Sequence, residues 1–337
     1  MVTVTSPVET FMTIIDCQSH VFPPAYAELL TRNRGRLQTT GGDGVYHLNY
    51  WDVQRFILNL ADYSIERKLA AMDAAGVDMS VLSVNIPGPE LLDPALAIIG
   101  AQMCNDYLAE ACQRYPNRFV AIASLPLNDV PAALVELKRA VTELKLRGVF
   151  LCSHINGKGL DAPEFEPVYA EVAARGIPLV LHPTVPVWGD AIKEHSMIPM
   201  LGFMVDTSIA MLRLILGGVL ERHPTLKVVH PHAGGVLPYL MGRVEEQTEV
   251  KRRGRDHIRK PPMDYYRQVY LDLVSPSLSA LRYAVDFMPP DRLLFGSDHP
   301  WVAIETLLDL VNALGLSTAE QARLLGGNAC ELFGIAS

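Results

Sequence analysis

The sequence predicts a (β/α)8 barrel carrying an insertion after its first strand. Three observations lead there: eight short apolar runs, helical stretches alternating with them, and polar residues that repeatedly close an apolar run. An open doubly wound sheet is the weaker alternative. The runs cover 12–16, 77–84, 118–125, 148–153, 177–182, 226–230, 268–274 and 292–297. They are nearly continuous in apolar residues, as strands buried on both faces should be.

Between the runs, residues 64–75, 94–115, 130–145, 163–175, 205–222, 237–251, 277–288 and 304–314 place apolar side chains at helical spacing. Many of these stretches begin at Pro, Ser or Asp and end at Gly, the residues that start and stop helices. Two segments depart from the alternation. Residues 25–63, with Gly41-Gly42-Asp43-Gly44, Tyr46, Tyr50 and Trp51, form an insertion where barrels place substrate-facing lids. Residues 184–204, with Trp188 and His195, form a second long loop after the fifth strand. No linker or low-complexity seam divides the 337 residues, so a single domain over 1–337 is expected.

Composition narrows the function classes. A hydrophobic fraction of 49% and a charged fraction of 20% describe a soluble globular protein, and a formal net charge of −8 argues against general nucleic-acid binding. The densest basic run, Lys251-Arg252-Arg253-Gly254-Arg255, reads as a solvated loop rather than a polyanion site. Five cysteines, Cys17, Cys104, Cys112, Cys152 and Cys330, have no CxxC spacing, which points to a reducing, cytoplasmic compartment. Residues 1–12 carry no signal-peptide pattern, and Arg213 interrupts the longest apolar stretch, 209–220, so no membrane partner is expected.

Active sites of such barrels lie at the carboxyl ends of the strands. Asp16, Gln18 and His20 fall there on strand one, Asn85 on strand two and His154 on strand four. His182 closes strand five, His230 and His232 strand six, Asp272 strand seven, and Asp298 and His299 strand eight. Imidazole and carboxylate donors suit a borderline divalent metal, and His20, His182 and Asp298 fit a site that keeps one position open. Gln18 is either a fourth ligand through its amide oxygen or a hydrogen-bonding neighbour of the ligands. His232, followed by Ala233-Gly234-Gly235, is placed to act as a base beside the metal, whereas His230 reads as structural. Asp298 ends a buried strand, and a cation offsets its desolvation better than a role as helix cap does. Strand four holds no lysine to bridge two metals, so one ion is expected. No GxxxxGK loop or GxSxG elbow supports nucleotide or serine-hydrolase chemistry.

These residues, taken in order, resemble the amidohydrolase superfamily, in the branch typified by aminocarboxymuconate semialdehyde, 5-carboxyvanillate and γ-resorcylate decarboxylases. The likeness runs through 16–20, Met72-Asp73-Ala74-Ala75-Gly76-Val77, Leu82-Ser83-Val84, Asn156-Gly157, Leu160-Asp161 and Pro163-Glu164-Phe165. It continues through Leu181-His182-Pro183, His232-Ala233-Gly234-Gly235 with Pro238, Gly296-Ser297-Asp298-His299-Pro300 and Gly327-Asn328-Ala329. The resemblance implies metal ligation by Gln18, His20, His182 and Asp298, and catalysis by His232 with Asp298. Gln18 departs from the family's usual His or Glu. The resemblance also implies a homodimer in which Arg243 binds the neighbouring subunit's substrate, the alternative for Arg243 being a salt bridge to Glu245 or Glu246. Trp51, Trp188 and His154 are expected substrate walls.

The activity so implied is metal-dependent, oxygen-independent decarboxylation of an aromatic or unsaturated carboxylic acid. Hydrolysis of an ester, lactone, thioester or amide on the same site is the alternative, and a degenerate non-catalytic barrel is a third reading. Zinc is the expected ion, with manganese or iron as alternatives.

Overall fold

Each of the eight expected strands forms in the computed structural model, which describes residues 13–336. Met12, where the first strand is expected to start, and the reading of residues 1–12 lie outside the described residues. In chain order the strands are β1 (Ile15–Val21), β2 (Leu37–Gly42), β3 (Val45–Tyr50), β4 (Gln54–Asn59), β5 (Met79–Val84) and β6 (Phe119–Ala121). They continue as β7 (Val149–Cys152), β8 (Pro178–His182), β9 (Lys227–His230), β10 (Tyr270–Asp272) and β11 (Leu293–Leu294).

Two parallel sheets, β1-β5-β6 and β11-β10-β9-β8-β7, follow one another around the molecule. Backbone hydrogen bonds bridge both seams. At one, Phe150 donates to Ala123 at 2.8 Å; at the other, Cys17 donates to Phe295 at 2.9 Å and Asp298 to Gln18 at 2.8 Å. The strands β1, β7 and β8 are buried at every residue, which explains why β7 and β8 read as continuous apolar runs rather than alternating ones.

Local signals set the helix ends. Ser64 accepts from the Arg67 amide to start Ile65–Ala75, and Gly76 ends that helix at φ +70°, a conformation favouring glycine. The expected helices at 205–222 and 237–251 are each broken in two, as Phe203–Leu216 with Val219–Arg222 and as Leu237–Glu245 with a wide turn over Glu246–Val250. The one helical run apolar and long enough by composition to cross a membrane is Glu194–Leu216, among the described residues. It differs from the expected 209–220 stretch, it is kinked at His195, and 50% of its apolar window is buried in the protein.

Residues 25–63 hold more order than their composition suggests. Strands β2, β3 and β4 form an antiparallel sheet whose first turn is Asp43-Gly44, at φ +50° and +84°, the backbone that a tight two-residue hairpin requires. Along β3, Tyr46, Leu48 and Tyr50 face inward while Val45 and His47 face out. After residue 314, Asn328 donates to the carbonyls of Pro290 and Leu293, both at 2.8 Å, and so ties the last helix, Asn328–Phe333, to β11.

Candidate metal centre

The first strand runs further than expected: it continues through the polar residues to Val21, with a register irregularity between Asp16 and Ser19. Gln18 and His20 still reach the same atom. Gln18 Nε2 donates to Asp298 Oδ1 at 3.4 Å, and His20 Nε2 lies 3.0 Å from that oxygen. The other nitrogen of His20 is engaged by Ser83 Oγ at 2.8 Å, and His182 Nδ1 is engaged by the Pro183 carbonyl at 2.8 Å. Each pairing orients its ring and leaves Nε2 for the centre. One donor atom from each of His20, His182 and Asp298 falls within 4.8 Å of the others.

Three observations test whether these groups fit a cation. Gln18 Oε1 is buried without a hydrogen-bond partner, an arrangement that leaves an amide oxygen's desolvation uncompensated unless a cation meets it. Burial, then the neighbouring His20, pushes His182 well below the ordinary imidazole range, so its ring is neutral, as a ligand must be. Burial would raise the Asp298 carboxyl, but hydrogen bonding and charge from His20 and His232 overrule it and hold the group ionised. The donor set therefore fits one divalent ion.

His232 stands beside this cluster, its Nε2 3.7 Å from Asp298 Oδ2. Burial works against its protonation, yet Asp298 outweighs burial and raises the imidazole above its ordinary value. Its amide donates to Asp272 Oδ1 at 2.7 Å, and burial pushes the Asp272 carboxyl up to about 6. His232 and Ala233 adopt φ of +58° and +53°, and Asp298 +60°. A left-handed backbone costs about 1–2 kcal/mol at each such residue, so surrounding contacts must hold these turns. Asp16 provides some of them, accepting from the Ser297 amide at 2.9 Å and its hydroxyl at 2.7 Å. Lys68, fully buried, provides others through Ser19 Oγ at 2.6 Å and the His299 carbonyl at 2.8 Å. His230 is paired with Tyr266 Oη at 2.9 Å.

A cavity of about 760 Å3 opens above the centre, with His182, His232 and Asp298 in its wall. The three expected substrate walls lie elsewhere. Trp188 Nε1 donates to Asp206 Oδ1 at 3.0 Å, and His154 lies between the Val185 carbonyl and the Gly157 amide, both at 3.1 Å; together they brace the 184–204 loop. Trp51 packs on Tyr50 and under the Arg36 guanidinium. Phe56 and Trp301 line the cavity instead. Trp301 follows the Asp298-His299-Pro300 turn directly, a position visible in sequence; Phe56 needed the strand register of the insertion. Arg243 is also away from the cavity, exposed on helix Leu237–Glu245 and 3.9 Å from Glu246. Lys68 carried no sequence signal, since it sits in a helix, and Ser83, inside an apolar strand, entered only through the Leu82-Ser83-Val84 likeness and not as a site residue.

The fold and this donor set define a class: a parallel α/β protein with a candidate metal centre at the carboxyl ends of its strands. Residues 15–335 match the Amidohydrolase family, and the chain belongs to that family. It is 32% identical over 300 residues to γ-resorcylate decarboxylase from Rhizobium sp. (strain MTP-10005), covering 85% of this chain and 90% of that protein. The structure of 5-carboxyvanillate decarboxylase from Sphingomonas paucimobilis superposes with a TM-score of 0.86 at 25% identity, over 96% of this chain and 100% of that one. A dihydroxybenzoic acid decarboxylase from Polaromonas sp., solved with bound manganese and the inhibitor 2-nitroresorcinol, matches with a TM-score of 0.80 at 25% identity, over 96% and 97% of the two chains. The expected likeness to the decarboxylase branch of the amidohydrolases is borne out by these relatives.

Proposed function

We propose that the protein is a metal-dependent, oxygen-independent decarboxylase of an aromatic or unsaturated carboxylic acid. The observation that carries this reading is the convergence of His20, His182 and Asp298 within 4.8 Å at the wall of a deep cavity, with the orphaned Gln18 oxygen beside them. Gln18 Oε1, His20 Nε2, His182 Nε2 and Asp298 would hold the ion, and manganese joins zinc as a first choice because a solved relative carries it. When bound, the ion supplies positive charge that orients the substrate's carboxylate or adjacent hydroxyl and stabilises negative charge there.

The chain's own residues supply the rest. His232, its proton favoured by Asp298, faces the cavity and delivers that proton to the carbon that bears the carboxylate. The carbon–carbon bond breaks, carbon dioxide leaves, and the electron pair becomes the new carbon–hydrogen bond. Asp272 holds the His232 backbone in its left-handed conformation, and Asp298 stays ionised to steady the imidazolium before transfer. Residues 25–63 serve as a lid, because Leu48, Phe56, Ile57 and Leu58 line the cavity. The eight parallel strands act as one closed barrel within a single folding unit.

The protein works as a cytoplasmic homodimer. Support comes from five free cysteines and from Tyr239, which is 82% exposed on the helix that also bears Arg243. Sedimentation at micromolar concentration tests the dimer, and a monomer there would contradict it. Incubating manganese- or zinc-loaded protein with carboxylated phenols tests the activity. Release of one carbon dioxide per product supports it; ester or lactone cleavage without carbon dioxide would favour hydrolysis instead.

A further inference from the structure

The cavity above the metal centre is larger than one aromatic ring needs, and its walls differ in character from its floor. At about 760 Å3 it falls within the range of sites that enclose drug-sized ligands. Its imidazole and carboxylate groups, His182, His232 and Asp298, all gather at the centre, and among the described residues no Lys or Arg lines it.

Away from the centre the surface is aromatic. Phe56 of β4 lies with its ring centroid 6.1 Å from Trp301 and 6.5 Å from Phe203, so three segments distant in sequence form one continuous apolar wall. The hydroxyls in the lining carry no charge: Tyr63 Oη accepts from Asn85 Nδ2 at 3.2 Å, Tyr283 Oη donates to the Pro238 carbonyl at 3.1 Å, and Ser275, Ser279 and Tyr239 complete the set. A second carboxylate placed against this wall would lose its water and gain no counter-charge. An apolar group there would be stabilised by leaving water.

We infer that the substrate is an aromatic monocarboxylic acid whose ring carries, away from the carboxylate, an uncharged apolar substituent at least as large as a second ring. Phe56 and Trp301 are the residues that select it. The inference rests on the decarboxylase reading for the chemistry at the centre, while the choice of substituent rests on the wall alone.

The test uses the full-length manganese-loaded protein and hydroxybenzoic acids that carry methyl, phenyl or carboxylate at the same ring position. Carbon dioxide release and calorimetric binding are measured for each. The phenyl acid should exceed the methyl acid by about tenfold or more in kcat/KM and in affinity, and the dicarboxylic acid should fall below the methyl acid by about tenfold. Phe56→Ala and Trp301→Ala should each lower the phenyl-to-methyl ratio by about threefold or more. Equal values for the three acids would overturn the inference. So would a preference for the dicarboxylic acid, including one that disappears in Arg243→Ala and thereby places a second copy's arginine in the cavity. Binding in the expected order with no carbon dioxide from any acid would retain the wall assignment and sink the decarboxylase reading. Carbon dioxide release without that order would do the reverse, and no binding of any acid would overturn both.

Discussion

His20 Nε2 lies 3.0 Å from Asp298 Oδ1, a contact between residues 278 apart in the chain. The second oxygen of the same carboxylate faces His232 Nε2 at 3.7 Å. Asp298 thus stands between a candidate metal ligand and the candidate proton carrier. The turn that presents it, at φ +60°, is fastened from behind by Asp16 through Ser297 and by Lys68 through His299.

Metal binding should respond differently to two changes on the same strand. His20→Ala removes an oriented imidazole and should leave the purified protein with little manganese or zinc after dialysis. Gln18→His exchanges a weak amide ligand for a stronger one and should keep or raise metal content. Elemental analysis of metal per chain reads both. Full occupancy in His20→Ala would mean that the centre is held by other groups.

His232→Ala should lower kcat by about 10²–10⁴-fold, the usual weight of a positioned acid–base group. Metal content should stay at the wild-type level, because His232 stands outside the cluster of His20, His182 and Asp298. A parallel loss of metal would make His232 a ligand.

Much of this centre is legible in the sequence, for a physical reason. Strands buried on both faces tolerate polar residues only where these are paired or functional, so His182 and Asp298 stand out against their apolar runs. The same logic identifies the eight parallel strands. It fails for Lys68, whose place in an amphipathic helix looks like a solvated position although the side chain is 1% exposed. It fails again for the cavity walls. Trp51 and Trp188 are large and lie in the expected loops, but backbone geometry at Trp51 and the Asp206 hydrogen bond at Trp188 draw both away from the cavity. The antiparallel sheet of residues 25–63 was hidden because glycines and asparagines mask its alternation.

Lys68 should leave a signature in stability against pH. Burial lowers its ammonium from 10.5 to about 7, with Asp16 and Asp298 opposing that shift. Between those values the unfolded chain holds a proton that the folded chain has released, so stability from this group rises with pH, and below about 7 its contribution is flat and least favourable. Relative to Lys68→Met, the wild type should gain a few kcal/mol from pH 7 to 9.5 in denaturant unfolding, at about 1.4 kcal/mol per pKa unit. A difference independent of pH would show that Lys68 stays charged in its pocket.

Trp188→Phe separates a brace from a substrate wall. Losing the indole donor leaves one oxygen of buried Asp206 less satisfied, and stability should fall by about 1–3 kcal/mol. Substrate kcat/KM should change less than about twofold, since Trp188 does not line the cavity. A large rise in KM with unchanged stability would restore Trp188 to the substrate wall.

The most direct measurement is product analysis by NMR after anaerobic incubation of the manganese-loaded protein with a hydroxybenzoic acid in D2O. The product should carry one deuterium on the carbon that held the carboxylate, with one carbon dioxide released per deuterium, and His232→Ala should suppress both together. A substrate recovered with its carboxylate intact, or a product formed by water addition with no carbon dioxide, would contradict decarboxylation at this centre.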